Sequence, residues 1–303
     1  MGESVARGAV LIVAGMALIG LIDNLVRVVA AEIGLWQFHA LRSAIALPVL
    51  ALLIWGCRLR ARMVRPWAVW LRAGLMAGAM LVYFAALPML PIAQVAAGLF
   101  TAPIFVLIYS VVFLRRRVGV RRLAAVGVGF AGVLMILRPE GAGFLALNLV
   151  PVAAGAIYGA ATLVTRELCA EEPVAAMLGA FFAVLGACGV IGVAVVAALG
   201  LEGATFLTSA LAWPSDGVWA VIWVQALGSL VAVGMLTRGY QSGETSYLTV
   251  FEYSFLVFSA FWGWSLWAQA IGMRDVAGMA LIFAAGAVIA IRGARRDAHP
   301  DPV

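Results

Sequence analysis

One acidic residue, Glu252, lies inside the apolar stretch from Arg238 to Trp264. A carboxylate at the centre of a membrane-length helix costs roughly 2.5 kcal/mol or more on insertion scales. Such a residue normally faces a bundle interior or a water-filled cavity and marks a functional site. Glu252, with its neighbour Tyr253, is therefore a candidate for binding an ammonium group. It is also a candidate for exchanging a proton, because burial disfavours the charged carboxylate.

A structural pair is the alternative interpretation of Glu252. Arg166 and Arg238 are predicted at the cytoplasmic ends of the sixth and eighth apolar segments. An ion pair between Glu252 and one of these arginines could hold helices together or gate the inner mouth of a pore.

A second group of polar residues occurs early in the chain. Asp23, Asn24 and Arg27 lie in the first apolar segment, and Arg42 lies with His39 in the second. Asp23 and Arg27 are four residues apart, so they can pair on one helix face. These residues could line the outer half of a cavity, or they could clamp the first two helices together.

Aromatic residues deep in apolar segments are candidates for the wall of a site that holds an organic cation or an aromatic solute. Tryptophans near segment ends, such as Trp67, Trp70, Trp213 and Trp219, are typical of the interfacial belt instead. Arg72, near a segment end, is expected to extend to lipid headgroups. The candidates for substrate contact in these segments are Tyr83, Phe100, Tyr158, Gln225 and Trp262.

The sequence argues against catalysis and cofactors. The chain has two histidines, His39 and His299, which leaves no HExxH motif and no usable Ser/His pair. It has no lysine, so it cannot form a P-loop for ATP. Its three cysteines have no metal-ligand spacing. We therefore expect that the chain is not an enzyme and binds no metal and no cofactor. A carrier is the leading hypothesis for a chain of this kind, and an intramembrane enzyme and a channel are kept as alternatives.

The amino-acid composition indicates which class of protein carries these residues. The 303 residues are 65% hydrophobic and 11% charged, whereas soluble domains carry about 25% charged residues. The chain is therefore predicted to be an all-α integral membrane protein whose length suits about ten spans of roughly 20 residues. The predicted spans are 9–31, 37–57, 67–87, 93–114, 118–137, 148–169, 174–199, 217–239, 244–264 and 275–291.

The arginines predict the orientation of these spans. Fifteen of the twenty arginines fall on one side, mainly in the loops after the second and fourth spans. The positive-inside rule places these loops in the cytoplasm, with both termini there too, in a bacterial inner membrane. The rule also accounts for the net charge of +6 without a nucleic-acid partner.

Two halves of the chain share one plan. Residues 1–145 and residues 146–296 each hold five spans, and residues 297–303 form a tail. Pro103 in the first half matches Ser254 in the second, and Arg138 matches Arg292. An odd number of spans per half predicts an inverted repeat around a central cavity. Small-residue pairs, Gly74/Gly78 and Gly155/Gly159, together with Gly127, Gly129 and Gly132, predict close helix packing.

The chain resembles the drug/metabolite transporter superfamily in its EamA-like ten-span branch. The resemblance rests on WQFHALRSA at Trp36–Ala44, YFAAL at Tyr83–Leu87, TAPIF at Thr101–Phe105, the glycine-spaced fifth and tenth spans and WPSDGVWAVIW at 213–223. One departure is Leu114–Arg117, where the family often has Gly-Glu before a basic residue.

The resemblance implies a secondary transporter for a small organic metabolite such as an amino acid, an amine or a nucleoside-like compound. Our leading hypothesis for the mechanism is alternating access, with the span three–four and eight–nine hairpins moving around a central site. The expected partners are the substrate and the lipid bilayer, and the expected state is a monomer or homodimer.

Overall fold

The computed structural model describes residues 2–87, 89–90, 92–115, 119–137, 146–242, 248–281 and 283–285, and this part of the chain is helical with no β-strand. Several residues used in the sequence analysis lie outside the described residues. They are Arg116, Arg117, Arg138, Arg292, Arg295, Arg296 and the tail 297–303.

Helices follow the predicted spans in order. Among the described residues, six segments are long and apolar enough to cross a membrane: Ala6–Ala30, Leu35–Gly56, Pro66–Ala86, Val95–Val112, Val174–Ala198 and Asp216–Ser242. The helices are α1 (Gly2–Asn24), α2 (Val26–Ala30), α3 (Leu35–Gly56), α4 (Pro66–Ala86), α5 (Ile92–Leu99), α6 (Ala102–Val112), α7 (Val120–Leu137), α8 (Val150–Glu167), α9 (Val174–Ala198), α10 (Asp216–Ser242), α11 (Ser254–Trp267) and α12 (273–281).

Within the part of the chain that the structure describes, three spans are interrupted. The first breaks at Leu25, after the Asn24 amide donates a hydrogen bond to the Gly20 carbonyl at 2.7 Å. The fourth breaks between α5 and α6, because in a regular helix the ring of Pro103 would clash with the carbonyl of Leu99, four residues earlier. The ninth begins as a 3₁₀ turn over Thr249–Tyr253 before α11. Interrupted helices expose backbone groups and occur where they line a cavity.

The helices of the two halves interleave. Helix α1 packs along α10 and α11, α3 packs along α9, and α4 packs along α8 and α9. By contrast, α3 and α4 contact each other only slightly, although they are neighbours in the chain. The largest buried apolar cluster correspondingly combines residues of α3 and α4 with residues of α8, α9 and α10.

Glycine packing differs from one predicted pair to the other. A Cβ on Gly155 would lie 2.7 Å from the Gly98 carbonyl oxygen, and one on Gly159 would lie 3.0 Å from the Ala102 carbonyl oxygen, so this pair packs α8 tightly against α5 and α6. Gly74, Gly78 and Gly127 face open space. A Cβ on any of these three glycines would meet no described atom within 4 Å, so the predicted close packing is not seen there within the described residues.

The loops opposite the arginine-rich end are tied together. The Leu35 amide donates to the Phe206 carbonyl at 2.7 Å, and the Trp36 indole donates to the Leu207 carbonyl at 2.9 Å. The Glu32 carboxylate accepts bonds from the Ser215 amide and hydroxyl at 2.8 and 2.7 Å. These two bonds lower the pKa of Glu32 below its usual value. The long loop 199–215 is thereby held against the start of α3.

Candidate functional site

A cavity lies among the helices of both halves. Its volume is about 60 Å³, which is room for several waters. Its wall is apolar and aromatic over most of its area. The lining residues are Met16, Ile19, Ile22, Asp23, Arg42, Met76, Met80, Tyr83, Phe84, Leu99, Phe100, Tyr158, Phe181, Ser229, Val233, Leu236 and Phe255.

A charged pair faces the cavity from the first half. Asp23 on α1 and Arg42 on α3 are 4% and 3% exposed. The Tyr83 hydroxyl donates to Asp23 Oδ2 at 2.9 Å. The Arg42 guanidinium lies 5.1 Å from the ring centres of both Phe38 and Phe84, and its Nε has no hydrogen-bond partner.

Asp23 and Arg42 attract each other without forming a direct ion pair. Each therefore keeps hydrogen-bonding capacity toward the cavity. The Asp23–Arg27 pair allowed by their spacing does not form between these two described residues. Arg27 is exposed after the break at Leu25, and its guanidinium lies 5.0 Å from the ring centre of Trp267.

A second polar cluster touches the cavity through Tyr158 on α8. The Tyr158 hydroxyl donates a short hydrogen bond to Glu252 Oε1. Glu252 is fully buried, and its other oxygen, Oε2, has no partner. The Tyr240 hydroxyl lies beside the same two groups without completing a hydrogen bond. Glu252 is thus separated from the cavity by one tyrosine hydroxyl.

The predicted ion pair of Glu252 with Arg166 or Arg238 is wrong. Arg166 Nη1 donates to the Gln241 carbonyl at 3.1 Å, and Arg238 is exposed. Both arginines lie near the ends of their helices, whereas Glu252 is enclosed within the bundle.

Three further candidates are buried outside the cavity. The Asn24 amide donates to the Ser259 carbonyl at 3.1 Å, and the Gln225 amide donates to the Ile22 carbonyl. These bonds join α1 to α11 and to α10. The Tyr253 ring lies against Gly129 on α7, and its hydroxyl has no partner.

Trp262 also lies outside the cavity. It is partly exposed, and its ring centre lies 5.2 Å from the ring centre of Phe261. Of the thirteen candidates, the structure brings five together around the cavity and places Glu252 immediately behind one of them. The five are Asp23, Arg42, Tyr83, Phe100 and Tyr158.

Arg72 contradicts its prediction as a residue that extends to headgroups. It is 2% exposed and donates hydrogen bonds to side chains of α8 and α10. Arg72 and Tyr83 are eleven residues apart, about three helical turns, so they share one face of α4. That spacing could have placed Arg72 in the interior from the sequence.

The cavity suits binding rather than catalysis. Aromatic rings and methionine side chains can cover a flat apolar solute, while Asp23 and Arg42 can hydrogen-bond to its polar edge. Within the described residues, no group of three or more His, Cys, Asp or Glu side chains could hold a metal ion.

Parts of the sequence match known proteins. The sequence pattern of the EamA-like transporter family matches residues 6–138. A riboflavin transporter of Brucella anthropi is 30% identical over 216 residues, which cover 71% of this chain and 73% of that protein. A riboflavin transporter of Rhizobium johnstonii is 28% identical over 235 residues, 78% of this chain and 74% of that protein.

Two further matches extend the comparison. The pseudopaline exporter of Pseudomonas aeruginosa is 26% identical over 211 residues, 67% of each chain. A crystal structure of another protein matches 95% of this chain and 98% of its own with a TM-score of 0.74 and 21% identity. This structural match shows a shared fold.

Proposed function

The chain belongs to the EamA-like transporter family, within the drug/metabolite transporter superfamily, and we propose that it is a secondary active transporter working by alternating access. Transport of small metabolites by a multi-pass membrane protein follows from the family. The mechanism, the substrate and the coupling are our proposal.

The observation that carries the proposal is the cavity. Its wall combines α1, α3 and α4 with α8, α9, α10 and α11, so both halves contribute to one site. A buried aspartate and a buried arginine face this cavity without neutralising each other directly. Ionisable groups in such a position are costly and mark substrate or ion pathways.

The helix interruptions support an inverted repeat of residues 1–145 and 146–296. Pro103 and Ser254 are 151 positions apart, and the same offset relates Thr101, at the break in the fourth span, to Glu252, in the 3₁₀ turn of the ninth. Interrupted helices at equivalent places in two halves are typical of transporter binding sites.

For the substrate we propose a flat, nucleoside-like heteroaromatic compound. Phe100, Phe181 and Phe255 can stack on a ring. Asp23 can accept a hydrogen bond from a ring N–H, and Arg42 can donate one to a ring carbonyl. Two relatives are named riboflavin transporters, and riboflavin carries such a ring edge. An amine or amino acid is the second candidate, because Asp23 can bind an ammonium group.

Proton coupling is assigned to Glu252. Its Oε2 atom is buried and unpaired, so the neutral form fits the site best when Tyr158 bonds only Oε1. The arginine-rich loop after α3 faces the cytoplasm in this proposal, with both termini on the same side of a bacterial inner membrane.

Uptake into proteoliposomes tests the function. We expect saturable uptake of riboflavin or of another heteroaromatic solute from a panel that also holds amino acids and polyamines, with accumulation under a pH gradient. E252Q should keep exchange of substrate but lose gradient-driven accumulation. Wild-type accumulation and pH profile in E252Q would remove Glu252 from the coupling. Single-channel currents without saturation would favour a channel.

A further inference from the structure

Arg72 is a buried charge that the cavity does not include. It lies on the same face of α4 as Met76 and Tyr83, which line the cavity. Arg72 precedes both, toward Pro66 and the arginine-rich loop 57–65. We call this end of the bundle the basic end. Arg72 therefore lies between the cavity and the basic end.

Three helices of the second half accept the hydrogen bonds of Arg72. Its Nε donates to Thr165 Oγ1 on α8 at 3.2 Å, and its Nη2 donates to Thr237 Oγ1 on α10 at 3.0 Å. Its Nη1 reaches the Met177 carbonyl on α9 at 3.4 Å. The Thr165 hydroxyl donates its own hydrogen to the Ala161 carbonyl at 2.8 Å, which leaves the oxygen oriented as an acceptor. One side chain thus joins α4 to α8, α9 and α10.

A second connection closes the same end. The Glu172 carboxylate, which is 3% exposed, accepts bonds from the Val64 amide at 2.9 Å and from the Arg65 amide. The Gln241 amide donates to the carbonyls of Cys169 at 3.0 Å and Glu172 at 2.7 Å. The loop before α4 is therefore attached to the loop after α8 and to the end of α10.

We propose that Arg72 is the positioning residue that keeps the basic end of the carrier closed. This inference rests on the proposed alternating-access function. Opening at the basic end must separate α4 from α8, α9 and α10, so the bonds of Arg72 must break together. A buried guanidinium is costly unless its donors are satisfied. Water that enters the opened end supplies the replacement acceptors, which makes the closed and open arrangements two discrete states.

Helix α8 connects this closure to the cavity. Tyr158 and Thr165 are seven residues apart, about two helical turns, so they lie on one face of α8. Tyr158 contacts the cavity and Glu252, while Thr165 contacts Arg72. A movement of α8 that follows substrate binding or a proton on Glu252 displaces the acceptor of Arg72 as well.

Cys169 provides a natural reporter, because it is fully buried at the basic end beside the Gln241 bonds. The full chain carrying C57S and C188A is labelled with a membrane-impermeant maleimide from the basic side. We expect R72Q to raise the labelling rate at least tenfold and T237V, which retains Arg72, about threefold. R62Q, an exposed arginine of the same end, should change the rate less than twofold.

A cysteine in the cavity separates gate opening from general loosening. In the same background without Cys169, S229C is labelled from the opposite side of the membrane. If R72Q releases the basic end, S229C should be labelled more slowly from the opposite side. A generally loosened protein would instead be labelled faster from both sides, and that result would overturn the proposal. Unchanged labelling of Cys169 in both R72Q and T237V would also overturn it. The labelling needs no transported substrate, so it stays informative if the transport panel fails.

Discussion

The Tyr83–Asp23 hydrogen bond and the nearby Arg42 form the charged end of the cavity. D23N keeps the shape of the side chain but removes the negative charge that a substrate N–H or ammonium would meet. Hydrogen bonds to charged groups contribute about 1.5–3 kcal/mol, which corresponds to roughly 10- to 100-fold weaker substrate binding. Equilibrium binding in detergent measures this effect.

Arg27 offers the matched control for D23N. It is exposed and contacts Trp267 rather than the cavity, so R27Q should change affinity less than twofold. Equal losses in the two variants would contradict the assignment of Asp23 to the binding site.

Tyr158 and Tyr253 are neighbours of Glu252 with different hydrogen-bonding states. Tyr158 donates to the buried carboxyl group, whereas the Tyr253 hydroxyl has no partner. Removing a partner from a buried polar group costs about 1–3 kcal/mol. We expect Y158F to change the pH profile of transport and to lower thermal stability, while Y253F leaves both close to wild type. A wild-type pH profile in Y158F would show that Glu252 does not depend on this bond.

The sequence identified much of the cavity because polar and aromatic residues inside apolar spans are informative. Asp23, Arg42, Tyr83, Phe100 and Tyr158 all line it. Asn24 and Gln225 had the same signal in the sequence, yet their amides bond backbone carbonyls of neighbouring helices. Only the helix packing shows which polar side chain faces a cavity and which joins two helices.

At the scale of the helices, α8 packs so closely against α5 and α6 that there is no space for an added side-chain atom at Gly155. A Cβ on Gly155 would lie 2.6 Å from Thr101 Oγ1 and 2.7 Å from the Gly98 carbonyl oxygen. Since backbone atoms cannot move aside locally, G155A should cost about 1–3 kcal/mol through overpacking. Thermal unfolding in detergent should show a lower Tm.

Gly74 supplies the comparison, because a Cβ there meets no atom within 4 Å. G74A should be neutral or stabilising by up to about 1 kcal/mol, since alanine favours the helix. A loss of stability in G74A equal to that in G155A would argue against the packing of α8 on α5 and α6.

The six membrane-length helices among the described residues were predictable because the bilayer thickness sets the length of apolar helices. The interruptions of the spans were only partly predictable. Pro103 signals the break in the fourth span, but the 3₁₀ turn at Thr249–Tyr253 contains neither proline nor glycine. The buried position of Arg72 was missed because proximity to the helix end outweighed its shared face with Tyr83.

At the scale of the whole molecule, interleaving of the halves makes the cavity a joint product of both. Helices α1, α3 and α4 pack mainly on helices of the second half. Movement of one half against the other must therefore change the cavity wall and the bonds at both ends at once. The Glu172 and Arg72 connections close the basic end, while the Glu32–Ser215 connection holds the opposite loops.

Such a molecule should carry substrate by exchange rather than by free passage. We propose that return of the empty site limits the rate of uptake, so substrate inside the vesicles should accelerate uptake of labelled substrate several-fold. Initial rates should saturate with concentration, and exchange should need neither ATP nor an ion gradient. The measurement compares loaded and empty proteoliposomes, with D23N as the variant of weakened binding. Uptake that rises linearly with concentration and ignores internal substrate would contradict alternating access, because only a continuous pore lets both solutions act independently.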